Sequence, residues 1–136
     1  MIINDDTKKK IAVIAKKYEL ALVVLFGSQA TGHTHPKSDI DIGFIARKEI
    51  DYHESYDINR AIARVFNNTE IEEVNLENVS PELKKRVAEE GILLYEENSS
   101  VFDLFKIHAF RSYVDTKPLR IYRAIRLKKF LQKTYA

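Results

Sequence analysis

The residues best suited to chemistry lie between Gly27 and Asp41. Gly27 and Ser28 are followed by ten residues and then by Asp39-Ile40-Asp41. On a β-strand, aspartates at positions i and i+2 share a face and lie roughly 7 Å apart. Carboxylates this close are costly to ionise together unless a cation lies between them. The pair is therefore a candidate site for a hard cation such as Mg²⁺, which typically binds one or two carboxylates together with substrate phosphates.

Gly27 and Ser28 follow a continuous apolar run, residues 20–26, which is typical of a strand buried on both faces. Glycine lacks a Cβ, so a ligand can approach the backbone closely at that point. Backbone N–H groups at a turn that enters a helix form an anion-binding concavity, and Ser28 adds a hydroxyl donor. Lys37 and Ser38 come directly before the first aspartate and are further candidates for contacting phosphates. Hydrogen-bond donors for phosphate beside metal-binding carboxylates predict a nucleoside triphosphate site for phosphoryl or nucleotidyl transfer.

Strand and helix patterns alternate along the chain that must position these residues. The first helix, 5–18, has Asp5 or Asp6 as its expected cap, and the second, 52–66, has Tyr56, Ala63 and Phe66 as expected inward positions. The remaining patterns predict strands at 20–26, 39–46, 70–76 and 92–96 and a helix at 81–90. This alternation predicts an α/β (α+β) domain with a small mixed sheet flanked by helices.

The composition favours a soluble, cytoplasmic protein. The 136 residues contain no cysteine, which excludes disulfides and thiolate metal sites. The opening residues, MIINDDTKKK, do not have the pattern of a signal peptide, and the longest apolar run is too short to span a bilayer. We therefore expect no membrane association.

The charge is distributed unevenly along the chain. The net charge is +2, but residues 106–136 hold nine Lys and Arg against one Asp. We predict a core at residues 1–98 and a basic helical tail at 99–136 that either packs on the core or docks a partner. No aromatic-interleaved platform for base stacking is predicted in the basic stretch, so direct nucleic-acid binding is not favoured.

The pattern GS-x10-DxD resembles the signature of the DNA polymerase β-like nucleotidyltransferase superfamily. The likeness extends to its minimal nucleotidyltransferase (MNT, MntA-type) subgroup, and it covers almost the whole chain. It is carried by Val74-Asn75-Leu76, Pro81-Glu82-Leu83, Gly91-Ile92-Leu93-Leu94-Tyr95 and, more weakly, Tyr113-Val114-Asp115-Thr116-Lys117.

The resemblance implies that Gly27 and Ser28 hold the triphosphate and that Asp39 and Asp41 bind Mg²⁺. Two ions are implied, with Mn²⁺ as an alternative metal. The third carboxylate would be Glu72, which lies four residues before Leu76 and would also help to deprotonate the acceptor hydroxyl. Strand alternation instead favours Glu73, if Val74 and Leu76 face the same core as Ile40 and Ile42.

Two departures from the family pattern accompany this likeness. The third carboxylate is glutamate where aspartate is usual, and Thr31 stands where many members have arginine. Lys37 is the nearest spare cation in the sequence.

The subgroup resemblance implies an antitoxin that transfers AMP from ATP to a tyrosine of a HEPN-type ribonuclease toxin, a protein AMPylation. The implied partners are ATP and that toxin, which would be encoded by the neighbouring gene of a two-gene toxin–antitoxin pair. The alternatives are nucleotidyl transfer to a small molecule and a non-catalytic toxin-binding protein.

Overall fold

A computed structural model describes residues 3–27, 30, 39–67 and 70–135. In these residues four strands form one sheet, β1 (Leu20–Phe26), β2 (Ile40–Ala46), β3 (Ile71–Asn75) and β4 (Ile92–Glu96). The helices are α1 (Asp5–Lys17), α2 (Tyr52–Phe66), α3 (Pro81–Glu90), α4 (Val101–Asp115) and α5 (Lys117–Tyr135). The predicted mixed sheet flanked by helices is confirmed. None of the described helices is both long and apolar enough to cross a membrane.

The sheet has the order β3-β2-β1-β4. β1 runs antiparallel to both β2 and β4, whereas β2 and β3 are parallel. A parallel pair needs a crossover connection, and α2 supplies it. β2 and β3 therefore both begin at the edge of the sheet where β1 ends.

Helices cover both faces of the sheet. On one face, α1 and α2 contribute Ile11, Ala15, Ile58 and Ile62 to a core that includes Leu25, Ile42 and Ile71. On the other, α3 and α4 contribute Val87, Ala88, Phe102, Phe105 and Ala109 to a core that includes Leu22, Val24 and Leu76. Every residue of β1 is buried, because this interior strand has a core on each side.

Helix ends follow their sequence signals with one exception. Ser80 caps α3 by accepting a hydrogen bond from the Leu83 amide at 3.2 Å, and Pro81 occupies the first turn. The expectation that Asp5 or Asp6 caps α1 was wrong. Asn4 is the cap, and its Oδ1 accepts from the Thr7 amide at 2.9 Å.

The expected inward positions of α2 were partly wrong. Tyr56 is 56% exposed, whereas Ile58 and Ile62 are fully buried. Ala63 and Phe66 are partly buried and pack against the first core, as expected. The buried stripe is thus centred on two isoleucines, and Tyr56 lies outside it under the Arg60 guanidinium, 5.8 Å from the ring centre.

Candidate active site

Three predicted site residues meet at the edge of the sheet where β1 ends. Phe26, the last residue of β1, is the register partner of Asp41 on β2. Asp41 is in turn the register partner of Glu72 on β3. Gly27 follows Phe26 directly, so the turn after β1 and the two carboxylates adjoin one another. Four residues that the sequence analysis singled out lie outside the described part of the chain: Ser28, Thr31, Lys37 and Ser38.

Asp41 and Glu72 lie on the face of the sheet that α3 and α4 cover. Gly43, two residues after Asp41, packs against Leu76, whose Cδ2 would be 2.7 Å from a Cβ at position 43. Val74 and Leu76 both belong to the core on that face. Ile40 and Ile42 belong to the opposite core, so the premise that these four residues share one core was wrong.

Glu73 occupies the other face, beneath α2. Its Oε1 accepts a hydrogen bond from Ser55 Oγ at 2.7 Å. Its Oε2 is buried and makes no hydrogen bond to any residue that the structure describes. Burial raises the pKa of the Glu73 carboxyl, and the Ser55 hydrogen bond offsets part of that rise. The sheet therefore separates Glu73 from Asp41 and places Glu72 beside it.

The Asp41 carboxyl holds its proton more tightly than an ordinary aspartate. Burial is the main cause of its raised pKa, followed by the negative charge of Glu72 and then that of Asp39. A hydrogen bond with Glu72 raises the pKa further, whereas the charge of Arg86 lowers it. A carboxyl that holds its proton this tightly beside a second carboxyl is also a site at which a divalent cation would take the place of that proton.

Two features require glycine at position 27, its backbone conformation and its close contact with Asp41. Its φ is +77°, a backbone conformation that residues with a Cβ rarely adopt. A Cβ there would collide with Asp41 Oδ2 and lie 3.1 Å from Asp41 Cγ. The backbone of the turn thus lies directly against the carboxylate predicted to bind metal.

These residues fit Mg²⁺ as a partial site. Among residues 3–27, 30, 39–67 and 70–135, no three His, Asp or Glu side chains converge into a complete metal-binding group. Asp39 raises the pKa of Asp41 through its charge, whereas Glu72 raises it through both its charge and a hydrogen bond. Mg²⁺ commonly takes one or two carboxylates and completes its shell with water and substrate phosphates, so this oxygen-donor pair suits it.

Arg86 is a site residue that the sequence did not indicate. It lies on α3, next to the fully buried Val87, and its side chain is exposed. Gly91 ends α3 immediately before Ile92, the register partner of Leu25, so the last turns of this helix approach the site edge. Lys84, Lys85 and Arg86 are consecutive, and only the packing of α3 shows which of them is near Asp41.

Comparison with known proteins identifies relatives that match most of the chain. The family described as "Polymerase beta, Nucleotidyltransferase" matches residues 9–100. A protein adenylyltransferase MntA from Aphanizomenon flos-aquae (strain 2012/KM1/D3) is 30% identical over 125 residues, which cover 84% of this chain and 82% of the relative.

Solved structures share the fold. A toxin–antitoxin crystal structure with AMP-PNP superposes with a TM-score of 0.75 at 24% identity, covering 89% of this chain and 98% of the other. The complex of an MNT antitoxin with the tri-AMPylated HEPN toxin of Shewanella oneidensis gives a TM-score of 0.71 at 20% identity, covering 93% and 99%.

Proposed function

Because the chain belongs to the polymerase β nucleotidyltransferase family, we propose that it transfers AMP from ATP to a hydroxyl group of a partner protein. We propose further that the partner is a HEPN-type toxin and that the transfer neutralises it. The observation that carries this proposal is the Asp41–Glu72 carboxyl pair, set against Gly27 where a fully buried strand ends. The similarity to an MntA protein adenylyltransferase supports AMP as the transferred group.

Each site residue has a defined role in this proposal. The backbone after Gly27 and the Ser28 hydroxyl bind the triphosphate, and Lys37 and Ser38 add donors on the far side of the loop. Asp39, Asp41 and Glu72 hold Mg²⁺, which when bound would neutralise phosphate charge and orient the triphosphate for in-line attack. Glu72 also accepts the proton of the acceptor hydroxyl.

The bond changes follow from these roles. The acceptor oxygen forms a bond to the α-phosphorus as the bond from that phosphorus to the bridging oxygen breaks. Pyrophosphate leaves and the hydroxyl proton passes to Glu72. A tyrosine is the acceptor expected from the subgroup resemblance.

Arg86 compensates for the threonine at position 31 in this proposal. Its guanidinium charge reaches Asp41 and would reach a phosphate bound beside it. Arg86→Ala should raise KM for ATP by about tenfold or more, with a smaller effect on kcat. Lys84→Ala on the same helix is the matched control, because Lys84 lines a separate cavity with Leu76 and His108. Equal KM values for the two variants would refute the role of Arg86.

A transfer assay tests the proposed function. The purified chain, Mg²⁺ and α-labelled ATP, CTP, GTP or UTP are mixed with the protein encoded by the adjacent gene, and the mass and label of that protein are measured. We expect additions of AMP that disappear with Asp39→Ala/Asp41→Ala and persist with Asp103→Ala, an exposed carboxylate on α4. A stable complex without label from any nucleotide would refute catalysis and favour neutralisation by binding alone.

A further inference from the structure

Helix α5, Lys117–Tyr135, exposes large apolar side chains along its length. The exposed fractions run from 44% to 61%, for Leu119, Ile121, Tyr122, Ile125, Leu127, Phe130 and Leu131. Among its described side chains, this 19-residue helix contributes none to either core. We call α5 the arm.

The apolar side chains surround the arm. Successive residues of a helix are about 100° apart, so Ile125 and Leu127 point to nearly opposite sides. The other apolar positions fill the angles between them. A helix that lies on one surface has a single apolar stripe, whereas a helix that is apolar all round belongs in an interior. The arm therefore requires cover on more than one side.

The direction of the arm is fixed although its surface is exposed. Arg120 donates to the Tyr113 carbonyl and to Thr116 Oγ1, both at 2.7 Å, and its guanidinium stacks 3.6 Å from the centre of the Tyr113 ring. Arg123 lies 3.5 Å from Glu82 in the first turn of α3. The site edge adjoins the opposite end of α3, so the arm projects from the core away from the candidate active site.

The charge of the arm limits what can cover it. It carries seven basic residues and no acidic residue. A second copy of the chain that paired arm against arm would bring two such helices together, with repulsion between like charges. A membrane surface would cover only one side, and the phosphates of a nucleic acid offer no apolar surface to the leucines and isoleucines. A protein cleft with apolar walls and an acidic rim matches both the apolar side chains and the basic charge of the arm.

We propose that the arm inserts into such a cleft of the partner protein, which contacts it from at least two sides. This proposal rests on the proposed function in one respect: the partner that the arm binds is the same HEPN-type toxin. Contact made away from the active site would hold the partner while its acceptor hydroxyl enters and leaves the site.

The test is the affinity of the full chain for the protein of the adjacent gene, measured by calorimetry without ATP. Ile125→Ala and Leu127→Ala preserve helix propensity and probe opposite sides of the arm. Each should weaken binding by at least about tenfold. Val13→Ala, at a 69% exposed apolar residue on α1, is the matched control and should change nothing. Circular dichroism melts verify that all three variants fold.

The outcomes separate this proposal from the proposed function. AMP transfer without measurable binding, or unchanged binding by both arm variants, would overturn the docking proposal and leave catalysis intact. Weakening by only one variant would overturn the two-sided cleft. Binding without transfer would support the docking and refute the proposed activity.

Two further measurements test the chemistry of the occupant. Affinity should fall as NaCl rises from about 50 mM to about 300 mM, because an acidic rim meets a basic helix. Affinity independent of salt would overturn the acidic rim. Self-association of the chain alone, or binding to vesicles or RNA, would assign the arm to another occupant if the arm variants abolished it.

Discussion

The two neighbouring glutamates on β3 differ in surroundings more than in chemistry. Glu72 adjoins Asp41 on the face covered by α3 and α4, while Glu73 accepts from Ser55 beneath α2. Glu72→Gln should lower kcat for AMP transfer by at least about 100-fold, because it removes a metal ligand and the proton acceptor. Glu73→Gln should stay within about threefold of the wild type. Single-turnover rates at saturating ATP measure both, and the reverse ranking would move the third carboxylate to Glu73.

Gly27 makes a second prediction at this scale. Gly27→Ala should lower stability by about 1–2 kcal/mol from the positive φ, with a further cost from the collision with Asp41. The Asp41→Ala background removes that collision and keeps the strained φ. The destabilisation, measured by urea unfolding, should therefore be smaller in that background. An equal loss of unfolding free energy in both backgrounds would show that Asp41 does not restrict the turn.

At the scale of elements, the bounds of most helices and strands could be predicted because they depend on local signals. The apolar run of β1 and the Ser80-Pro81 start of α3 are such signals, and both were confirmed. The cap of α1 was missed because Asn4, Asp5 and Asp6 all suit the role. Only the residue at which the helical hydrogen bonds begin shows which of the three is the cap.

The assembly of the site depended on information that no single segment carries. Alternation on β3 divides Glu72 from Glu73 but does not state which face holds the site, since both faces carry a core. The charge of Arg86 acts on Asp41 only because α3 packs on the sheet. The spacing between Gly27 and Asp41, in contrast, identified the participating edge because β1 and β2 pair directly there.

The packing of α2 on β3 leads to a pH prediction. Burial raises the pKa of Glu73 above its ordinary value of 4.5, so the folded state binds this proton more tightly than the unfolded chain does. The contribution to stability is complete below pH 4.5 and is lost as pH rises through the folded-state pKa. The Tm of the wild type relative to Glu73→Gln should therefore fall between acid pH and about pH 8.

Asp41 titrates in both of these proteins, so its effect cancels in the comparison. Glu77→Gln, at an exposed glutamate just after β3, is the matched control for the loss of one carboxylate. A wild-type Tm that rose with pH relative to Glu73→Gln would contradict the burial argument.

At the scale of the whole molecule, the two tail helices differ in what they contribute. Phe102, Phe105 and Ala109 of α4 are buried in the core that α3 shares, whereas no α5 side chain that the structure describes is buried. The predicted boundary between residues 98 and 99 stays a prediction, and truncation tests it. A chain ending at Thr116 should keep its Tm within about 3 °C, since little apolar area is lost.

A chain ending at residue 98 should not fold cooperatively, because the second core loses its outer layer. Heating monitored by near-ultraviolet circular dichroism compares the two truncations. A cooperative transition for the shorter chain would show that residues 1–98 are a self-sufficient domain.

The parallel pairing of β2 with β3 also determines when the catalytic pair comes into existence. β1 and β2 join as antiparallel neighbours, but β3 is an edge strand that pairs only after α2 has crossed the sheet. Pairing across such a sequence separation is slow to form during folding. Glu72 therefore reaches Asp41 only once that crossover is complete. In a newly made chain the active site would be absent until β3 has paired with β2, and nucleotide binding would report that this pairing is in place.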